Sequence, residues 1–207
     1  MTVSALETNN LKQAPTVDGV MPVFFQRWSP RSFADREVRA ETLAKVFEAA
    51  RWAASSLNEQ PWRFFVGMRG SSTYEKIFNA LSNFNKAWAN LAPVLILGAA
   101  HTKHTRDGKP NRVALYDLGA AASYITLQAA ALGLVTHQMG GFSAERAQQA
   151  LGIPEDYVMG TVIALGYQGE PKALSDERLR MEETTPRTRK PLSEIVLAEW
   201  GVPAKLS

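Results

Sequence analysis

The 207-residue sequence has no cysteine, which excludes disulfides, thiolate catalysis and cysteine–zinc sites. Histidine is scarce: there are three, His101, His104 and His137. None stands in a His-Glu-x-x-His pattern or beside a carboxylate pattern, so no zinc site and no catalytic triad is expected. There is no Walker loop, no Gly-x-Gly-x-x-Gly after a strand and no Gly-x-Ser-x-Gly. No apolar run approaches the roughly 20 residues of a membrane helix; even residues 94–100 are too few. Residues 1–19, which include Glu7, Asn9, Asn10 and Lys12, lack the apolar centre of a secretory signal, and a cytoplasmic location is expected. Neither sign of charge dominates, with 23 Lys and Arg against 20 Asp and Glu. The basic residues are scattered, so no nucleic-acid partner is expected, although the slight excess suits an anionic small molecule. A chain without evident acids, nucleophiles or metal ligands of its own points to an organic cofactor.

What is present is an ordinary core-forming composition, 45% hydrophobic and 21% charged, on a length that suits one domain. There is no internal repeat and no linker. Residues 1–19 are polar and unpatterned and read as a flexible N-terminus. Residues 20–207 read as a single domain, with a C-terminal extension from about 184. Residues 20–26 offer apolar side chains for one or two helical turns after Pro22. Residues 39–54 read as a helix, with Leu43, Val46, Phe47 and Ala50 at i, i+3, i+4 and i+7 and the pair Glu41 and Lys45 on the wet face. Helices follow at residues 71–82, 143–151 and 175–183, and strands at 63–68, 134–138 and 157–167. The continuous apolar run 94–100 reads as a central strand buried on both faces. Residues 113–134 form the longest helical pattern, rich in Ala and poor in charge. Such a helix is covered on most sides, either by a partner subunit or as the central helix of a monomeric core. This alternation gives a two- or three-layer α/β or α+β domain.

Four stretches could form a site. Arg27-Trp28-Ser29-Pro30-Arg31-Ser32-Phe33 is a turn, because Pro30 disfavours a helical Ser29; it could aim two guanidinium forks at a phosphate or a carbonyl edge, or be a solvated basic turn anchored by Phe33. Ser55-Ser56-Leu57-Asn58-Glu59-Gln60-Pro61-Trp62 joins a helix to a strand. It carries uncharged hydrogen-bonding groups, and is either a binding loop or a connector with an aromatic plug. Met139-Gly140-Gly141-Phe142 permits close backbone approach to a flat ligand, or is a plain turn before the next helix. Arg187 and Arg189 lie on one side of an extended segment, as a phosphate grip or as part of a basic tail. Beyond them, Ile195, Val196, Leu197 and Trp200 are too apolar for a free tail.

In order and spacing, Arg27-x-Ser29-x-Arg31-x-Phe33, Ser55-Ser56-x-Asn58-x-Gln60-Pro61-Trp62-x-Phe64 and Arg187-x-Arg189 resemble the nitroreductase family of FMN-dependent oxidoreductases. The resemblance covers residues 24 to 196 or so, and the serine-rich segment is its most specific part. It implies an α+β sandwich with a mainly antiparallel central sheet flanked by helices. It also implies a homodimer whose C-terminal arm lies on the partner and whose two FMN sites each use both subunits. Arg27, Trp28, Ser29 and Arg31 would hold the phosphate, ribityl chain and pyrimidine edge, with Arg187 and Arg189 at the phosphate. Ser55, Ser56 and Asn58 would come from the other subunit, and Leu57 and Gln60 would also contact the cofactor. Gln138, Met139, Gly140 and Gly141 would line the ring, and Asn85 and Lys86 fall where relatives contact the flavin. The implied reaction is hydride transfer from NADH or NADPH through FMN to a nitroaromatic, quinone or activated alkene, with ping-pong kinetics and with Arg31 or Arg27 as electrostatic stabiliser. A non-catalytic flavin-storing protein on the same scaffold is the alternative, and steady NAD(P)H oxidation with an acceptor separates the two. The sequence departs from many relatives at Ala54, where they carry proline, and at Gly140, where they carry glutamate.

Overall fold

In the computed structural model, which describes residues 3–206, one antiparallel sheet separates two layers of helices. The chain runs α1 (Ala5–Lys12), α2 (Val23–Gln26), α3 (Ala40–Arg51), β1 (Trp62–Met68), α4 (Ser72–Ala80), α5 (Asn83–Ala89), β2 (Val94–His101), α6 (Ala114–Ala131), β3 (Val135–Met139), α7 (Ala144–Leu151) and β4 (Tyr157–Gly166). It ends with α8 (Glu177–Thr184), α9 (Leu192–Ile195) and a small hairpin, β5 (Leu197–Glu199) and β6 (Val202–Pro203). The main sheet has the order β1-β2-β4-β3, every pair antiparallel. This is the expected α+β sandwich with a mainly antiparallel sheet.

β2 is buried on both faces because period-two alternation sends its side chains into two separate cores. Val94, Ile96 and Ala100 meet α3 and α6, together with Leu118, Ile125, Ile163 and Leu165. Leu95 and Leu97 point the other way, to Ile77, Leu81, Trp88, Ala147 and Leu179. A fully buried side chain such as Ile125 costs about 2–5 kcal/mol when cut to Ala. The serine caps agree with the sequence: Ser71 Oγ accepts from Tyr74 N at 3.2 Å, and Ser143 Oγ from Arg146 N at 3.2 Å. α4 lies so close to β1 that a Cβ on Gly67 would come within 2.4 Å of the Tyr74 backbone.

One expectation needs revision. The N-terminal segment is not frayed throughout. Ser4 and Glu7 close a reciprocal capping box, with Glu7 N donating to Ser4 Oγ at 3.2 Å and Ser4 N to Glu7 Oε2 at 2.7 Å. The helix they start docks through Thr8 and Lys12, both buried; a buried lysine is a signal that hydropathy patterning misses. Residues 1 and 2 lie outside the described residues. α6, by contrast, is not covered on most sides by its own chain, which agrees with the partner-covered reading of this helix and not with the central helix of a monomeric core. Leu115, Tyr116 and Tyr124 stand 50%, 80% and 43% exposed, so an apolar face lies open. The C-terminal segment is open too: Leu192, Ile195 and Trp200 are exposed, the last at 97%. No described helix is long and apolar enough to cross a membrane.

Candidate functional site

The arginine turn begins where α2 ends. Trp28 is buried, and its indole Nε1 donates to Asn9 Oδ1 at 2.9 Å. The Pro30 carbonyl lies 3.1 Å from His137 Nδ1 on β3, so that nitrogen carries the proton. His137 packs against Trp88, with ring centroids 4.6 Å apart. Burial, with Arg31 adding its charge, pushes His137 down from the ordinary 6.5 to about 4. The next two backbone N–H groups, of Arg31 and Ser32, both donate to the carboxylate of Glu183 at 3.0–3.1 Å. Glu183 is buried, and burial raises its pKa against the lowering effect of these donors. The turn is therefore fixed from below by a carboxylate and from the side by an imidazole.

Above this base lies a group of guanidiniums. Arg27 reaches Ser29 Oγ at 3.3 Å. Arg187 donates from Nη1 to the Arg27 carbonyl at 2.5 Å, and from Nε and Nη2 to the carbonyls of Lys12 and Phe25. Burial lowers the pKa of Arg27 and of Arg187, and the neighbouring arginines add to the shift in both. Among the described residues none of Arg27, Arg187 and Arg189 has a carboxylate within 4.0 Å. Partly buried like charges without a counter-charge are costly, and the arrangement favours an anion. Beside Arg27 a cavity of about 220 Å³ opens between α1, α2, the C-terminal end of α6 and the start of β3, where Ala130 and Thr136 line it. Arg31 is placed differently from the other arginines. Its Nη1 pairs with Glu182 at 2.9 Å, while its Nε is buried without a partner.

The glycine turn adjoins this region through β3. Met139 is buried, and Gln138 and Gly140 are exposed. Asn85 Nδ2 donates to the Gly141 carbonyl at 2.9 Å, so Asn85 bolts the turn to α5. A Cβ on Gly141 would stand 2.8 Å from Asn85 Nδ2, whereas one on Gly140 would meet nothing. Lys86 turns towards the Phe78 ring, 5.9 Å from its centroid.

The Ser55–Gln60 loop lies elsewhere. Leu57, Asn58 and Gln60 have φ of 53°, 56° and 48°, a left-handed conformation that costs non-glycine residues about 1–2 kcal/mol each. Such strain persists only where surroundings enforce it, and it concentrates at functional sites. Here Ser56 N donates to Asp117 Oδ2 at 3.1 Å, Gln60 N to Ser55 Oγ at 3.0 Å, and Thr105 N to Glu59 Oε2 at 3.0 Å. Leu57 and Asn58 face solvent. Asp117 is in the first turn of α6, and Ala130 is beside Arg27. At 1.5 Å per residue the two ends are about 20 Å apart. Within one chain the arginine turn is tied to β3, the strand that leads into the glycine turn, by Pro30 and His137; the Ser55–Gln60 loop does not join them.

Sequence reasoning missed Asp117, Glu183, Asn9 and Lys12. Asp117 left a faint trace, as an acid in an otherwise alanine-rich helix. Glu183 left none, because nothing local marks a carboxylate that folds back 151 residues.

A model described as "Nitroreductase family" matches residues 25–87 and 69–167. The chain is 34% identical over 149 residues, 68% of its length and 99% of the other's, to a 15.4 kDa protein of Mycolicibacterium smegmatis encoded in the ask 5′ region. It is 27% identical over 203 residues to a Thermus thermophilus protein named NADH dehydrogenase, covering 83% of this chain and 92% of that one. A crystal structure described as an oxidoreductase containing FMN superposes with a TM-score of 0.83 at 32% identity, covering 92% of this chain and 95% of the other.

Proposed function

The chain belongs to the nitroreductase family, and on that premise we propose that it is an FMN-dependent NAD(P)H oxidoreductase acting as a homodimer. The observation that carries the reading is the pair Arg27 and Arg187, partly buried, with exposed Arg189 near them and no carboxylate partner for any of the three among the described residues. Its chemistry fits a phosphomonoester, for which forked guanidinium donors are well suited. The buried, unpartnered Arg31 Nε adds a donor of the kind that a flavin pyrimidine edge accepts.

When bound, FMN supplies the hydride relay, from NADH or NADPH to a nitroaromatic, quinone or activated alkene, with one shared site and ping-pong kinetics. The protein's own residues bind and orient. Arg27, Arg187 and Arg189 hold the phosphate, and Trp28 and Ser29 flank them. Met139, Gly140 and Gly141 give the ring a surface without bulky side chains. Arg31 brings positive charge to the pyrimidine side, and Glu182 on its Nη1 tempers that charge and fixes its direction. Ser55, Ser56, Leu57, Asn58 and Gln60 come from the partner. Two-fold pairing across the open face of α6 sets the N-terminal end of one helix against the C-terminal end of the other. It brings each strained loop to the partner's arginines and gives the apolar C-terminal arm a surface to cover.

The purified protein should be yellow and release FMN on denaturation. It should oxidise NAD(P)H steadily only when an acceptor is present, with parallel double-reciprocal plots. A colourless protein that takes up no FMN contradicts the reading; a yellow one inert towards NAD(P)H and acceptors contradicts the enzymatic part and leaves a flavin carrier.

A further inference from the structure

α1 precedes the part of the chain matched by the family model, which starts at residue 25. Yet it touches both segments assigned above to the phosphate. Asn9 Oδ1 receives the indole N–H of Trp28, next to Arg27, at 2.9 Å. The Lys12 carbonyl receives Arg187 Nε. The Lys12 ammonium donates to the Glu182 carbonyl at 2.7 Å and stands 5.0 Å over the Trp28 ring. At the other end of the helix Ala5 N donates to Glu170 Oε2 at 3.1 Å. Lys12 is only 8% exposed.

Such a contact set is more than a helix needs in order to lie down. An ammonium is costly to bury, and burial lowers its pKa here, with Glu183 opposing. An apolar residue would cover Trp28 without that cost. What an apolar residue could not do is connect α8 to the arginine turn by a directed bond. Arg187 likewise depends on α1. Of the three carbonyls it donates to, those of Lys12, Phe25 and Arg27, the first belongs to this helix, so withdrawing α1 leaves its Nε without an acceptor and its fork held at two points instead of three.

We propose that α1 is a clasp for the phosphate grip, with Asn9 and Lys12 acting as positioning residues for Arg27 and Arg187. The proposal rests on the reading of these arginines as the phosphate site. Asn9 fixes the indole that precedes Ser29 in the turn, and Lys12 fixes the C-terminal segment relative to it. Together they hold two guanidiniums close in spite of their mutual repulsion.

The test compares FMN with riboflavin, which has the same ring and ribityl chain but no phosphate. Affinities for both are measured by fluorescence quenching on the full-length apoprotein carrying Asn9→Ala, Lys12→Met or Lys12→Arg. The clasp predicts that Asn9→Ala and Lys12→Met each weaken FMN about tenfold, equivalent to about 1.4 kcal/mol, while riboflavin changes by less than about twofold. Lys12→Arg, which keeps a cation over the indole, should recover most of the FMN affinity. Asn9 is exposed, so its variant should fold even if Lys12→Met does not. FMN and riboflavin weakening in parallel would mean a merely structural helix and would overturn the clasp, as would unchanged FMN affinity. Arg27→Ala is the separate check on the underlying reading. If it leaves the preference for FMN over riboflavin intact, the arginines do not hold the phosphate and the clasp falls with them. If it abolishes the preference while the α1 variants do not, the clasp alone is wrong.

Discussion

At the C-terminal end of α6 the arginine turn is held by buried charge. Glu183 accepts two successive backbone N–H groups, Lys12 and Arg187 reach across from other segments, and the side chains left over are cations. At the N-terminal end the Ser55–Gln60 loop is held by Asp117 from below, by the Ser55 hydroxyl, and by Glu59, whose carboxylate accepts from Thr105. It presents neutral groups on a backbone with three left-handed residues. The first region resists the repulsion of its own like charges; the second resists a conformation its residues do not favour. Both store free energy that a ligand could release, but in different terms, and variants should respond differently at the two ends.

The largest expected effect is on the charged end. Arg27→Ala removes charge-assisted bonds worth about 1.5–3 kcal/mol each, and two of them would raise the FMN dissociation constant roughly a thousandfold. Asn58→Ala, at the neutral end, should cost about 1 kcal/mol, or some fivefold. A fluorescence titration in which Asn58→Ala matched Arg27→Ala would erase the distinction.

Next is the pH response of the charged end. The pKa of His137 is depressed in the fold to about 4 from 6.5, so the unfolded chain binds the extra proton first. Stability from this group is present above pH 6.5 and is lost as pH falls through the window down to about 4, by up to about 3 kcal/mol. His137→Gln should flatten that part of the denaturation profile of the flavin-free protein. A variant with the wild-type slope would show that other groups carry it. The Ser55–Gln60 loop should respond only at lower pH, because the hydrogen bond from Thr105 N holds the Glu59 carboxyl below its ordinary value, and stability from that group is lost only as pH falls below the usual carboxylate range.

Third, Asp117→Ala should leave Ser56 N without its acceptor and cost about 2 kcal/mol, lowering the melting temperature by about 4–8 °C. Asp117→Asn, which keeps an acceptor oxygen, should lose less. Equal losses would mean that the charge, not the hydrogen bond, holds the loop.

The smallest effect has the opposite sign. Leu57→Gly relieves a left-handed leucine at the cost of glycine's extra unfolded freedom, for a net gain of about 0.5 kcal/mol and a degree or two in melting temperature. A lower melting temperature would mean that the leucine side chain stabilises the fold despite its 62% exposure.

The same division explains what the sequence disclosed. β2 was legible because a strand buried on both faces needs an unbroken apolar run, and α3 because Leu43, Val46, Phe47 and Ala50 repeat at helical spacing. The loop around Asn58 and the turn at Arg27 were legible as motifs, since uncharged hydrogen-bonding groups and paired guanidiniums are specific choices. The supports beneath them were not. Asp117, Glu183 and Lys12 act through contacts 61, 151 and 170 residues away in the chain, and no local pattern encodes such a distance. The capping box of Ser4 and Glu7 could have been read, and it marks the start of α1, but nothing in the polar residues after it announced that the helix would dock.

The central claim is that one binding site combines the arginines of one chain with the Ser55–Gln60 loop of another, and mixing two damaged proteins tests it most directly. Arg27→Ala protein and a protein with Ser55, Ser56 and Asn58 all replaced by Ala should each retain little FMN. Unfolded together and refolded as a mixture, they should form mixed dimers in which one site has both halves intact. With random pairing about one quarter of all sites should then bind FMN and turn over NAD(P)H. If the mixture binds no more FMN than its two components, the two ends of α6 do not meet across a dimer and the account is wrong.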